Sequence, residues 1–99
     1  MTHLANDDDL EDPATPSQLD RFSAWTADFR GERSIANSAG VLGWPDARGD
    51  WVRPGLSLYG ISPFLTGEGH ALGLAPVMTL RTRLIAVKTI EAGAPVGYS

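Results

Sequence analysis

Between Thr15 and Arg30 the chain has a helical rhythm. Leu19, Phe22, Thr26 and Phe29 recur at steps of three and four, with Trp25 flanking the stripe. Thr15 stands where a cap belongs, Pro16 suits the first helical position, and Gln18 completes a capping box with Thr15. Gly31 offers a left-handed stop just past Arg30. This pattern predicts a helix over 16–30. Around it lie short apolar runs bounded by breakers. Met1–Asn6, Ser34–Ala36 and Trp51–Arg53 read as short strands. Ala39–Leu42 reads as a turn of helix entered through Asn37–Ser38 and stopped by Gly43 and Pro45. Pro54–Gly60 allows another short helical segment.

The texture changes at Ile61. Pro63, Gly67, Gly69, Gly73 and Pro76 punctuate a stretch with no clear period, which reads as a linker. Beyond it, Met78, Leu80, Leu84, Ala86 and Ile90 share one face under period two, and Thr79, Arg81, Arg83 and Thr89 make the other more polar. That predicts a strand over 77–90. Glu91–Ala94 follows as a turn, and 95–99 opens another strand. The front half thus alternates strand and helix, as a parallel α/β sheet does, while the back half starts an antiparallel unit. Three short parallel strands with one good helix cannot cover both faces of a sheet. The chain therefore reads as a piece of a larger α/β protein, truncated at both ends.

Composition narrows the classes. With 99 residues and 42% apolar content, the chain has room for one ordinary domain. No cysteine is present, which excludes disulfides, thiol chemistry and Cys-ligated zinc. A net charge of −4 argues against general nucleic-acid binding. No segment reads as a secretory signal or a membrane span, so the expected location is the cytoplasm. Asp7, Asp8, Asp9, Glu11 and Asp12 crowd together, and mutual repulsion predicts a solvated loop. That loop lacks calcium spacing, and His3 and His70 lie far apart, so no metal site is expected.

The chemistry concentrates after the three short strands. In a parallel α/β layout His3, Asn37–Ser38 and Arg53–Pro54–Gly55–Leu56 all fall at the carboxyl edge, where such folds place their sites. Backbone N–H groups at two helix starts, with the Ser38 hydroxyl, suggest a phosphate cradle. Each residue also has a plain reading. Arg53 alone suits a structural ion pair with Asp50, His3 a hydrogen-bonded core residue, and Asn37–Ser38 a mere cap.

Taken in order, Ala36–Ala39, Leu42–Pro45, Asp50–Leu56 and Leu58–Gly60 resemble the bacterial alanine racemases. Met1–Ala5 looks like that family's sixth barrel strand, and Pro76–Val87 with Ala92–Tyr98 like the opening of its C-terminal β domain. The resemblance implies the C-terminal portion of a (β/α)8 barrel over 1–62, a linker over 63–76, and the first strands of an antiparallel β domain over 77–99. It implies pyridoxal 5′-phosphate as cofactor, alanine as substrate and a homodimeric parent enzyme. Arg53 would face the cofactor's ring nitrogen, with His3 beneath the ring and bonded to Arg53. Ser38, Gly55 and Leu56 would hold the phosphate, with Asn37 beside it. A guanidinium keeps its proton, so the ring nitrogen would stay neutral, which favours reprotonation of the substrate over transamination.

The family's two proton-transferring groups, a lysine near the barrel start and a tyrosine of the partner subunit, match no residue here. Lys88, Tyr59 and Tyr98 stand elsewhere, so the isolated chain is expected to be inactive. Two other readings compete. A barrel-type decarboxylase would place a carboxylate, not Arg53, at the ring nitrogen. A small acidic binding module would fold as a compact monomer.

Overall fold

Three extended segments meet at the centre of the molecule, in a computed structural model that describes residues 1–97. Thr2 N–H donates to Ser34 O at 3.1 Å, Ser34 and Trp51 form a parallel bridge, and Arg53 N–H donates to Ala36 O at 2.8 Å. The segment around Ser34 therefore lies between the other two. The pairing has the parallel sense expected of an α/β edge, but no continuous ladder forms among the described residues. The strands predicted at 1–6, 34–36 and 51–53 are reduced to a few hydrogen-bonded contacts. Segments of about three residues in so small a parallel set are marginal as a sheet.

Helix α1 spans Ala14–Trp25 rather than 16–30. Its start is closed by Asp12, whose carboxylate accepts from Ala14 N–H at 2.8 Å. Thr15 is fully buried and its Oγ1 has no hydrogen-bond partner, so it caps nothing. Gln18 does not close a capping box either. Its Nε2 donates to His3 O at 2.7 Å and its Oε1 accepts from Ala5 N–H at 3.2 Å, which fastens α1 to the first extended segment. The helix ends early because Thr26 turns back on it. The Thr26 hydroxyl donates to Phe22 O at 2.8 Å, a carbonyl that also takes the last ladder bond, from Thr26 N–H at 3.0 Å. The Thr26 carbonyl, which would have received Arg30 N–H, instead accepts from Arg33 Nη2 at 3.1 Å. Gly31 thus plays no part in the stop.

Helix α2 is short, Ser38–Gly43, with Asn37 as its cap: the Asn37 side chain accepts from Gly40 N–H at 3.0 Å. One-turn 3₁₀ segments follow at Pro45–Ala47 and Leu56–Tyr59. Leu4, Ile35, Ala36 and Ala47 form the core, with Leu19, Phe22, Val41 and Trp44 packed against them. Three of the eight are alanine or valine, so the core is thin.

The segment read as a linker is partly ordered. Gly69–Leu72 makes a 3₁₀ turn seated on Gly60, where a Cβ at 69 would lie 1.9 Å from Gly60 O. Gly60 itself has φ +77, and a Cβ there would meet Pro76 N at 2.5 Å. Both positions need glycine for the close approach. Beyond Pro76 the predicted strand over 77–90 is absent. Every residue from 77 to 97 is exposed, and Leu80 and Ile85 are 95% and 101% accessible. The turn at Glu91–Ala94 does form, closed by Ala94 N–H to Glu91 O at 3.1 Å. Residues 95–97 are not strand, and Tyr98 and Ser99 lie outside the described residues.

These features set the overall dimensions. The molecule measures 74 × 28 × 24 Å, with a radius of gyration of 21.8 Å. A compact domain of this length has a radius of about 13 Å. The accessible surface is 8027 Å², against about 5,500 Å² for a folded monomer of this mass. The chain does not fold as the compact binding module that the composition alone permits.

Candidate functional site

The three extended segments end on one side of the core, and the loops leaving them wall a cleft of about 440 Å³. That volume suits a small molecule. Its lining includes His3, Asn37, Ser38, Arg53, Gly55 and Leu56, so all six residues singled out from the sequence come together there, along with Asp7 and Asp8.

Arg53 forms one wall. Its guanidinium fans across the ends of the other two segments. Nη2 donates to Thr2 O at 2.8 Å and to Ile35 O at 3.2 Å, Nη1 donates to the Ser34 hydroxyl, and His3 Nδ1 lies 3.4 Å from Nη2. The alternative of an ion pair with Asp50 is not what the structure contains. Asp50 accepts instead from Arg33 N–H at 2.7 Å. Among the described residues Arg53 pairs with no carboxylate. Its guanidinium is thus held by neutral groups, while the carboxylates of Asp7 and Asp8 line the same cleft without touching it.

Ser38 and the loop after Pro54 form the opposite corner. The Ser38 Oγ accepts from Gly55 N–H at 2.8 Å and from Ser57 N–H at 3.2 Å, and lies 3.3 Å from the Ser57 hydroxyl. A serine oxygen has two lone pairs and one proton. Two backbone donors fill the lone pairs, which leaves Ser38 its proton as a donor, with the Ser57 hydroxyl 3.3 Å away within its reach. Ser57 was not foreseen from the sequence. A serine two places after a glycine is too common to carry a signal. The two helical starts are each short, so the corner works through individual donors rather than through a helix dipole. Gly55 leaves space beside them. A Cβ there would meet nothing nearer than Ser38 Oγ at 4.0 Å, and its φ of −112 is one any residue adopts.

Asn37 is committed within the protein. Its Oδ1 caps Gly40 N–H and its Nδ2 donates to Asp7 Oδ1 at 3.0 Å. This corrects the picture of a solvated acidic loop. Asp8 is exposed, but Asp7 is only 4% accessible and its Oδ2 has no partner. Three of the five acids are held by separate donors. Asp7 takes Asn37, Asp9 takes Glu11 N–H at 3.0 Å, and Asp12 takes Asn6 Nδ2 at 2.8 Å as well as Ala14. The hydrogen bond from Asn6, then that from Ala14, hold the Asp12 carboxyl below the usual carboxylate range. No cluster of His, Asp or Glu suited to a metal ion occurs among the described residues, and no helix there is long and apolar enough to cross a membrane.

Arg53, Ser38 and the loop after Pro54, gathered at the carboxyl edge of parallel segments, define the class: an α/β protein with a cleft of small-molecule size at that edge. The family is then shown by comparison. The family model for the N-terminal domain of alanine racemase matches residues 1–63, and the chain belongs to that family. Among curated proteins, alanine racemase of Aeromonas hydrophila is 56% identical over 98 residues, which cover 99% of this chain and 28% of that protein. The chain therefore spans little more than a quarter of that relative. Among solved structures, alanine racemase from Acinetobacter baumannii matches 98% of this chain and 28% of its own, with TM-score 0.73 and 39% identity. Alanine racemase from Bartonella henselae, solved with covalently bound pyridoxal phosphate, matches 62% of this chain and 18% of its own, with TM-score 0.57 and 39% identity.

Proposed function

We propose that this chain is the cofactor-holding portion of a pyridoxal 5′-phosphate-dependent alanine racemase, formed from the last strands of a (β/α)8 barrel and the opening of a β domain. The whole enzyme would interconvert L- and D-alanine in the cytoplasm, as a homodimer, and supply cell-wall precursor. The observation that carries this reading is Arg53. It stands at the cleft as a permanently protonated group, braced by three carbonyl or hydroxyl oxygens and paired directly with no carboxylate among the described residues. A decarboxylase of similar layout would need an acid there.

The residues present fit the cofactor. Ser38 has a hydroxyl proton to donate, and the open space at Gly55 leaves room beside it for a phosphate. Ser38 and Leu56 would hold that group beside Gly55, whose own N–H is engaged by Ser38 Oγ in this structure, with Arg53 at the ring nitrogen and His3 supporting Arg53. When bound, the cofactor withdraws electrons from the substrate's α-carbon so that its proton can leave and return. Arg53 keeps its own proton throughout, which limits that withdrawal and favours return of the proton to the same carbon. Asn37 fixes the turn that presents Ser38. The groups that move the proton are not offered by this chain. Lys88 is exposed on the extended 77–97 segment, and Tyr59 sits half exposed on a 3₁₀ turn.

Binding tests the reading directly. Pyridoxamine 5′-phosphate, which has no aldehyde for Lys88 to attack, should bind the chain measurably more tightly than pyridoxamine. Ser38→Ala should erase most of that preference. Equal affinity for the two compounds would remove the phosphate site from the proposal. Racemisation by the isolated chain above that of free cofactor would overturn the division of labour.

A further inference from the structure

Asp7 is the one carboxylate buried against the cleft wall, and the reading above gives it no task. Its surroundings suggest one. A side-chain amide has two unlike ends that fit equally well by shape. With Oδ1 towards Gly40 N–H, Asn37 caps α2, and with Nδ2 there it sets donor against donor. Shape does not choose between the two. The Gly40 N–H favours the first, and Asp7 locks it from the other end, because its Oδ1 lies 3.0 Å from Nδ2 and a carboxylate can only accept. Flipping Asn37 would oppose two acceptors at Asp7 and two donors at Gly40.

Asp7 is itself pinned from the far end of α2, where Trp44 Nε1 donates to its carbonyl at 3.0 Å. The same loop residue thus grips α2 at both ends. Gly40 is closely surrounded: a Cβ there would lie 3.0 Å from Ala36 Cβ, 3.3 Å from Leu4 Cδ1 and 3.4 Å from Asp7 Oδ2. The arrangement is stiff, and Ser38, the first residue of α2, moves with it.

We infer that Asp7 is a positioning residue: it locks the orientation of the Asn37 amide that Gly40 N–H favours, and through that cap it fixes where Ser38 presents its hydroxyl to the cleft. The inference rests on the reading of Ser38 as a phosphate-holding residue. Asp7 touches no ligand in this scheme. Its burial, with one oxygen left without a partner, is the cost of removing the ambiguity from Asn37.

The test is an acceptor swap in the 99-residue chain, read by amide exchange at Gly40 and by affinity for pyridoxamine 5′-phosphate. Asp7→Ala should lower Gly40 protection about tenfold, the worth of one hydrogen bond, and weaken the probe several-fold. Asn37→Asp should do the same by setting two carboxylates face to face. Combining Asn37→Asp with Asp7→Asn should restore both readouts, since the amide and the acid have traded places. A residue that merely fills space predicts no such rescue. Unchanged Gly40 protection in Asp7→Ala, absent protection in the native chain, or no rescue in the double variant would each overturn the inference. So would a loss of Gly40 protection that leaves probe affinity intact. If the native chain protects Gly40 but does not bind the probe, the phosphate reading fails and the link from Asp7 to the cleft falls with it. The orientation of Asn37 is still judged by the swap.

Discussion

Residues 1–60 and residues 77–97 both carry regular apolar patterns, yet the first region folds and the second lies open to solvent. The alternation over 77–90 is the cleaner of the two patterns. The first region succeeds through side chains that reach between segments. Gln18 joins α1 to the first extended segment, Arg53 joins all three segments, and Asp7 with Asn37 locks α2 to the loop before it. These cross-links supply the pairing that a longer sheet would supply through its backbone. The 77–97 region has none of them. Its side chains alternate correctly but meet no second strand, and a lone strand has nowhere to satisfy its backbone groups.

The largest blow to the folded region should come from Arg53→Leu. It strips the donor from the carbonyls of Thr2 and Ile35 and from the Ser34 hydroxyl at once. At about 1–3 kcal/mol per unmet buried group, the loss should reach about 3–5 kcal/mol. Urea unfolding followed by tryptophan fluorescence would measure it. A midpoint that stays put would mean the segments are held together by the apolar core, and the contrast drawn here would lose its cause.

Ser38→Ala should cost less, about 1–3 kcal/mol, because it leaves the N–H groups of Gly55 and Ser57 without an acceptor. The same urea experiment reads it. Ser57→Ala, which keeps both backbone bonds, should be close to neutral. If the two substitutions cost the same, the hydroxyl pair rather than the backbone donors holds the corner.

Much of this was legible in the sequence, and the limits have physical reasons. Asn37 declared itself as a cap because a short polar side chain before Ser-Ala-Gly has one obvious use. The six residues lining the cleft were legible as a set, since segment ends in a parallel layout share an edge. The course of α1 past Trp25 was not legible. Thr26 fits the apolar stripe by spacing, and its hydroxyl's preference for Phe22 O appears once Arg33 is in place to hold the Thr26 carbonyl. Asp7 was hidden by its neighbours. In a run of acids nothing marks the one that will find Asn37, thirty residues away. The 77–90 pattern was read correctly as alternation and wrongly as a strand, because periodicity describes faces and says nothing about whether a partner is present.

A smaller effect separates the regions by pH. The Asp12 carboxyl is held below its usual range by Asn6 and Ala14, so its ionised form is favoured in the folded chain. Its contribution is present above the ordinary carboxylate pKa of about 3.9 and is lost as pH falls through the lowered folded value. The stability gap between the native chain and Asp12→Asn should therefore be constant near neutrality and narrow in acid. A gap that is the same at every pH would mean that the start of α1 does not depend on the charge.

The smallest expected effect is the sharpest test of the comparison. Ile85 is fully exposed in the open segment, so Ile85→Lys should change the stability of the folded region by no more than about 0.5 kcal/mol. The usual penalty for putting a lysine at an alternating strand position should be missing altogether. What should change is association. An unpaired, alternating segment is a template for a second chain, and a charge on it opposes edge-to-edge pairing. Light scattering should show the native chain self-associating as its concentration rises and the Ile85→Lys chain doing so less. A stability loss above about 1 kcal/mol would mean that the segment packs against residues 1–60 in solution, and the two regions would then be one.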